Sequence, residues 1–373
     1  LSSFYSMMKA YAEHLHFVFL TGVTRLSGLS VFSGLNNITN LTLKDEFCDI
    51  CGYTQKELEK YFDEHIKRLA KSEKSTFKKT LADIKEWYDG YTWDGKTSVY
   101  NPYSTLMLFD NLRFGNYWSN TGSPSFLVDY FKRNDVSKNI IFESKEVTAQ
   151  TLEEYGGSEY SEYTLLFQAG YLTIDKKTKS GKVIKYELCC PNLEVEYSYA
   201  FYVLSGTLNI DNYNTLTKLH NKIQNAMFNL DNERLADIFS YAFSIIPNEI
   251  IRREKIGGTE FLYHTSLLLF LVGNTFKVNA GESTRVGRSD IVIECEKETF
   301  VVAELKYIND AGKANERAAK SLDKALTQIE KKKYCDKYKH REDCKRIITL
   351  AIVFVDKGAK IFCKLKDFWR RKI

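Results

Sequence analysis

The stretch "TFVVAELKY", residues 299–307, sets Glu304 and Lys306 two apart inside an otherwise apolar run. A strand alternates its side chains between faces, so Glu304 and Lys306 share one face with Val302, while Val301 and Leu305 take the other. Polar groups held between buried neighbours need a partner or a function. Upstream lies "GRSDIVIE" (287–294), a second short β-rich run, and the charged turn "CEKE" (295–298) joins the two. A hairpin centred near Lys297 sets Val292 opposite Val302 and Asp290 opposite Glu304.

That register brings two carboxylates to about 5 Å on facing strands, where like charges repel unless a cation lies between them. Two cations are candidates: the ammonium of Lys306, or a divalent metal. Magnesium suits a site of few carboxylates completed by water and phosphate oxygens. Held by Asp290 and Glu304, it would polarise a phosphodiester and acidify a bound water, with Lys306 orienting that water or meeting charge on the phosphate.

A different stretch imitates a nucleotide site. "GYTWDGKT" (90–97) satisfies the P-loop pattern letter for letter. A P-loop needs a buried strand before it and a helix after it, whose free amides hold phosphate. Here the preceding "TLADIKEWYD" has helical spacing, and Pro102 interrupts any helix running on from Thr97. Tyr91 and Trp93 are bulky where backbone should wrap a phosphate. The stretch reads as a turn with Asp94-Gly95 at its corner. "LAIVFVDK" (350–357) likewise imitates a Walker B strand and reads as a core strand.

The chain has 373 residues, enough for two or three domains. Its longest apolar stretches, "FVFLTGV" (17–23) and "SLLLFLVG" (266–273), are far short of a membrane span. Eight cysteines without a disulfide-like framework fit a reducing cytoplasm, the expected location. Cys48 and Cys51 form a lone C-x-x-C with no second pair at zinc spacing, and read as small residues in a packed turn. The net charge of +5 is uneven: residues 300–373 hold 20 Lys/Arg against 10 Asp/Glu, which leaves the remainder at −5. A polyanionic partner and a solvated lysine-rich helix explain that excess equally well.

Residues 17–25, "FVFLTGVTR", read as a buried parallel strand, and 54–88 as mostly helical. Asn101-Pro102 opens a further helix. "NYWSNTGSP" (116–124) is loop-like and marks a boundary. In the middle section, "EYTLLFQAGYLTIDKKTKSGKVIKYELCCPN" (162–192) reads as helix, strand, Lys/Gly-rich turn and strand, the order of a winged-helix unit. Such a unit serves DNA binding or internal connection. Two or three more helices occupy 215–255.

Asp290 and the E-x-K of Glu304 and Lys306, following a helix that bears Glu260 ("TEFLYHTSLLLFLVG"), resemble the PD-(D/E)XK nuclease superfamily. The longer phrases "GRSDIVIE", "FVVAELKY", "ALTQIEKKKY", "FVFLTGVTRLSGLSVFSGLNN", "CGYTQKELE", "WYDGYTWDGKTSVYNPYS" and "FQAGYLTI" resemble bacterial proteins that join an AAA-ATPase-like domain to such a nuclease domain. The resemblance implies an α/β fold in three parts. These are the C-terminal part of an AAA-ATPase-like domain (1–122), a helical, winged-helix-like linker domain (123–255) and a PD-(D/E)XK nuclease-like domain with a mixed sheet flanked by helices (256–373). It implies Asp290 and Glu304 as metal ligands for Mg2+ or Mn2+, Lys306 as catalytic lysine and Glu260 as the supporting helix glutamate. It places Gln328, Lys332 and Tyr334 in a Q-I-x-x-K-x-Y motif facing nucleic acid, with DNA the expected polymer. Gln328 and Lys332 stand four apart, one helical turn, where both would reach phosphate. Glu282 and Arg288 are secondary candidates. His264, one turn after Glu260, reads as a core or hydrogen-bonding histidine.

The resemblance also places the true P-loop upstream of Leu1. ATP is therefore expected only in a longer parent protein, and a missing N-terminal ATPase half or a homo-oligomer is expected to cover the exposed part. No membrane partner is expected. The competing reading is a catalytically silent module that binds nucleic acid or protein.

Overall fold

Helix starts along the first hundred residues follow side chains that accept amide hydrogens. Thr54 opens α1 (Gln55–Tyr61): its Oγ1 accepts the Glu57 amide, and the Glu57 carboxylate accepts the Thr54 amide at 2.9 Å. α2 (Asp63–Ser72) follows directly, and Thr76 caps α3 (Phe77–Tyr88) through the Lys79 amide at 3.2 Å. Asn101 caps α4 (Pro102–Asn111), with proline at its first position, where no amide is missed. Leu58, Ile66, Leu69, Ile84, Tyr88, Tyr100 and Leu108 from these elements fill one core.

The computed structural model describes residues 7, 10–22, 39–118, 140–141, 144–153, 162–208, 213–244, 258–280, 283–284, 287–288, 290–308, 314–355 and 360–371. Of the expected strand 17–25, residues 17–22 are described, and the expectation is corrected. They form no strand, and Phe17 is 78% exposed, because no described strand supplies the ladder that a buried parallel strand requires. The rest of that segment and most of the expected boundary at 116–124 lie outside the described residues.

Between α3 and α4 the P-loop lookalike is a closed turn. Tyr91 pairs with Val99 across it, and Asp94 Oδ1 accepts the amides of Lys96 and Thr97 at 2.9 and 2.8 Å. Gly95, at φ 71°, donates to Thr92 Oγ1 at 2.8 Å. The next helix begins at Pro102, so no free helix start faces this loop. The amides of Gly95, Lys96 and Thr97 are used within the turn.

A three-stranded sheet follows. It is built from β1 (Lys145–Thr148), β2 (Thr173–Ser180) and β3 (Val183–Cys189) in the order β1-β3-β2, all antiparallel. Two short helices, α5 (Ala149–Glu153) and α6 (Glu162–Gln168), lie in sequence between β1 and β2. The helix, strand, turn and strand read from the sequence are present. β1 is an addition, too short and too polar to stand out by alternation.

The described residues through Glu196 belong to one compact unit and those from Tyr197 onward to a second, the change falling within α7 (Leu193–Leu208). The second unit contains α8 (Tyr213–Phe228), α9 (Asn232–Ser244) and α10 (Gly258–Gly273). They are followed by β4 (Lys277–Ala280), the two-residue arms β5 (Ser283–Thr284) and β6 (Gly287–Arg288), then β7 (Ile291–Cys295) and β8 (Thr299–Ile308). α11 (Ala314–Lys331) and α12 (Asp336–Lys339) lead to β9 (Arg346–Val355) and β10 (Lys360–Arg370).

The main sheet runs β10-β9-β8-β7-β4. β8 and β9 are parallel and every other neighbouring pair is antiparallel, so the second unit is a mixed α/β fold. The parallel pair requires a crossover, which α11 and α12 provide. The sheet is covered on both faces. Ala318, Leu322, Ala325, Leu326 and Ile329 of α11 share a core with Val292, Val302, Ala351 and Val353. On the opposite face Phe354 stacks with Tyr263 of α10 at 4.8 Å and meets Phe243 of α9 at 5.0 Å. Burial on both faces is why β8 and β9 read as near-continuous apolar runs.

Candidate active site

The turn at Glu296–Glu298 holds Lys297 and Glu298 in left-handed conformation, at φ 56° and 54°. It fixes the β7–β8 register: Ile291 pairs with Ala303, Val292 with Val302 and Cys295 with Thr299. Asp290 stands one residue before β7, opposite Glu304 by continuation of this ladder.

Each acidic group is held by its surroundings. Asp290 is partly exposed, and its Oδ2 accepts the backbone amide of Leu305 at 2.8 Å. Its carbonyl oxygen lies 3.1 Å from Nε2 of His264, so α10 is tied to the strand entry at this residue. Glu304 is 2% exposed, and its Oε1 accepts Nζ of Lys306 at 2.8 Å and Nε2 of Gln328. The Lys306 side chain remains 30% exposed. The Lys306 ammonium offsets the large desolvation cost that an isolated buried carboxylate would carry. The site therefore consists of one buried carboxylate with an ammonium on it, one accessible carboxylate fixed by an amide, and a half-open side towards solvent.

Asp290, Glu304, Lys306 and Gln328 come together, from the entry to β7, from β8 and from α11. Lys332 is exposed just past the end of α11, with its amide on the Gln328 carbonyl at 2.9 Å. Tyr334 is a correction. It is 3% exposed and belongs to the core beneath α11, out of reach of a polymer outside. Glu260 lies in the first turn of α10, one turn before His264, and its side chain is outside the described set. Glu282 also lies outside it, and Arg288 is placed only by its backbone pairing with Ser283. Among the described residues no three His, Cys, Asp or Glu side chains gather as a metal cage. The donors that are present, two carboxylates with one of them open to solvent, suit a hard cation that keeps water and phosphate oxygens in its shell.

Two contacts were not evident from the sequence: His264 on the Asp290 carbonyl, and Gln328 on Glu304. The second left a trace, a glutamine beside the apolar stripe of Ala325 and Ile329.

Residues 258–363 match the profile of the PD-(D/E)XK nuclease superfamily, from the start of α10 into β10. An uncharacterized protein in the vnfD 5′ region of Azotobacter chroococcum mcd 1 is 29% identical over 343 residues. That alignment covers 91% of this chain and 61% of the relative, so the chain spans about three-fifths of that protein's length. With this match lying over the β7–β8 hairpin and its carboxylates, the C-terminal part of the chain is a PD-(D/E)XK nuclease superfamily domain.

Proposed function

We propose that this domain hydrolyses phosphodiester bonds of nucleic acid, DNA in the first instance, with Mg2+ or Mn2+. The observation that carries the reading is Asp290 facing Glu304 across the β7–β8 ladder with Lys306 on the Glu304 carboxylate. Asp290 and Glu304 would hold the ion, which when bound supplies Lewis acidity to the phosphate and a more acidic water. The chain's own groups prepare that site. The Leu305 amide fixes the Asp290 carboxylate, and Gln328 fixes Glu304. Lys306, with its side chain 30% exposed, would be within reach of an incoming phosphate or a water. Glu260 supports the site from α10, and Lys332 meets the polymer backbone. Gln328 is assigned to positioning Glu304.

The same reading extends to the rest of the chain as a proposal. Residues 1–122 would be the later part of an AAA-ATPase-like domain, 123–255 a winged-helix-like linker and 256–373 the nuclease domain. The silent-module reading draws on one observation: Glu304 Oε1 is already engaged by two side chains.

The test is cleavage of mixed single- and double-stranded DNA and RNA with Mg2+, with EDTA, and with Lys306→Ala. Metal-dependent cleavage lost in the variant is the expected result. Absence of cleavage with no metal binding would favour the silent module.

A further inference from the structure

The β2–β3 hairpin of the first unit is built unlike a structural hairpin. Its base is locked. Thr92 of the turn segment 90–97 donates its amide to Thr173 Oγ1 at 2.8 Å and its hydroxyl to the Ile174 carbonyl at 3.0 Å. Thr173 Oγ1 returns a bond to the Thr92 carbonyl at 2.9 Å, and Ile174 is fully buried. β1 pairs with β3 only as far as Lys185. Beyond that the two strands continue alone, with Lys179 opposite Ile184 and Ser180 opposite Val183. They close at Gly181, φ 62°, where an added Cβ would meet no atom beyond the adjoining residues within 4 Å. Residues 178–184 are all exposed, including Val183 at 49% and Ile184 at 38%. A bare two-stranded ribbon gains little stability from its own pairing.

The lysines divide in the same way. At the base, Lys176 pairs with Asp175 and Glu187, Lys177 with Asp45, and Lys185 with Glu146. At the tip, Lys179 and Lys182 meet no acidic partner among the described residues. Charge is compensated where the ribbon is anchored and left open where it projects. A two-stranded ribbon fits the major groove of a duplex, and uncompensated lysines with a hydroxyl and a glycine amide between them suit phosphate oxygens.

We propose that the tip of this hairpin, centred on Lys179 and Lys182, is a binding site for the phosphate backbone of double-stranded nucleic acid. It is separate from the carboxylate site and independent of whether that site turns over.

The experiment is equilibrium binding of the full chain to a fluorescein-labelled duplex of about one helical turn or two, in EDTA, across a salt series. Each backbone contact adds about 0.9 to the slope of log affinity against log salt. Replacing both lysines, K179Q/K182Q, is expected to lower the slope by about 1.8. Between 50 and 200 mM salt the unaltered protein then loses about twelve-fold more affinity than the variant. K179R/K182R should restore the slope, and the exposed pair K56Q/K60Q in α1 should not change it. A thermal melt of each variant separates lost binding from lost fold. An unaltered slope in K179Q/K182Q, no duplex binding by the unaltered chain, or an effect seen with single strands and absent with duplex would each overturn the proposal. Cleavage is not read in this assay, so its outcome and that of the nuclease test are distinguishable.

Discussion

Two antiparallel hairpins bear the two sites proposed for this chain, and they are opposites. β7–β8 is enclosed by helices on both faces, and its one lysine of interest touches a carboxylate that is 2% exposed. β2–β3 is enclosed only at its base, and its tip lysines stand in solvent. A reaction needs groups held to a fraction of an ångström, which packing and backbone hydrogen bonds supply. Contact with a polyanion needs charge within reach and tolerates motion. The same residue type, lysine on a hairpin, is therefore proposed for different work in the two places, and the difference is set by what surrounds it.

The largest effect is expected at the enclosed hairpin. Lys306→Gln removes the charge and leaves a polar side chain one atom shorter, and should lower single-turnover cleavage by about 10²–10³-fold. Its fold should also weaken, because Glu304 keeps Gln328 and loses the ammonium that compensates it. Undiminished cleavage would detach the nuclease reading from this hairpin.

Next is a pH effect expected in the unit that bears the exposed hairpin. Glu194, in the first turn of α7, is 1% exposed and accepts the amides of Tyr117 and Trp118 at 2.6 and 2.8 Å. Burial pushes its carboxyl up to about 7, against the opposing hydrogen bonds from Ser104, Trp118 and Tyr117. A folded value above the unfolded one means that the fold holds the proton more tightly. The associated stability is complete below about pH 4.5 and is lost as pH rises through about 7, an amplitude of about 3 kcal/mol. Three of the four tryptophans, Trp87, Trp93 and Trp118, lie in this unit, so tryptophan fluorescence follows its unfolding. Glu194→Gln should flatten the curve between pH 5 and 7.5. A slope unchanged in the variant would assign the effect to another group.

The enclosed hairpin was legible in the sequence because two local signals agreed. Alternation in "VVAELKY" assigned the faces, and the charged "CEKE" located the turn, so Asp290 could be set opposite Glu304 before any fold was known. Contacts made across the fold were not legible. Gln328 reaches Glu304 across 24 residues, and His264 reaches Asp290 across 26. Nothing in a local pattern specifies such a partner. Tyr334 was placed by its motif alone, which does not say which members face outward, and its ring belongs to the core with Tyr338 and Phe300. The segment 17–22 misled in the opposite direction, since an apolar run predicts burial only where neighbouring strands exist to bury it. In the first unit the P-loop lookalike was recognised as a turn, although its use as the anchor of β2–β3 depended on Thr173 and Ile174, some 80 residues away.

Gln328 tests how far the enclosed hairpin depends on support from outside the strands. Gln328→Leu removes the amide from Glu304 and keeps the apolar volume. Groups that orient a metal-holding carboxylate typically contribute about 10–100-fold in affinity or activity. The variant should lose about that much Mn2+ affinity by calorimetry, with a smaller loss of cleavage at saturating metal. Equal metal affinity in the two proteins would return Gln328 to the role of a phosphate contact.

The smallest expected effect gives the cleanest contrast. Lys182→Gln is the same chemical change as Lys306→Gln, made in the turn of the other hairpin. Lys182 is exposed, so no buried charge is stranded by the substitution. Its thermal midpoint should correspond to a change within about 0.5 kcal/mol, the usual range for such surface sites. If the tip is instead packed against something in solution, the substitution will shift the midpoint and the ribbon is not free. If both lysine variants were equally harmless to the fold, Glu304 would not depend on Lys306 for its charge. The claim that burial separates the two hairpins would then fail at the residue where it is strongest.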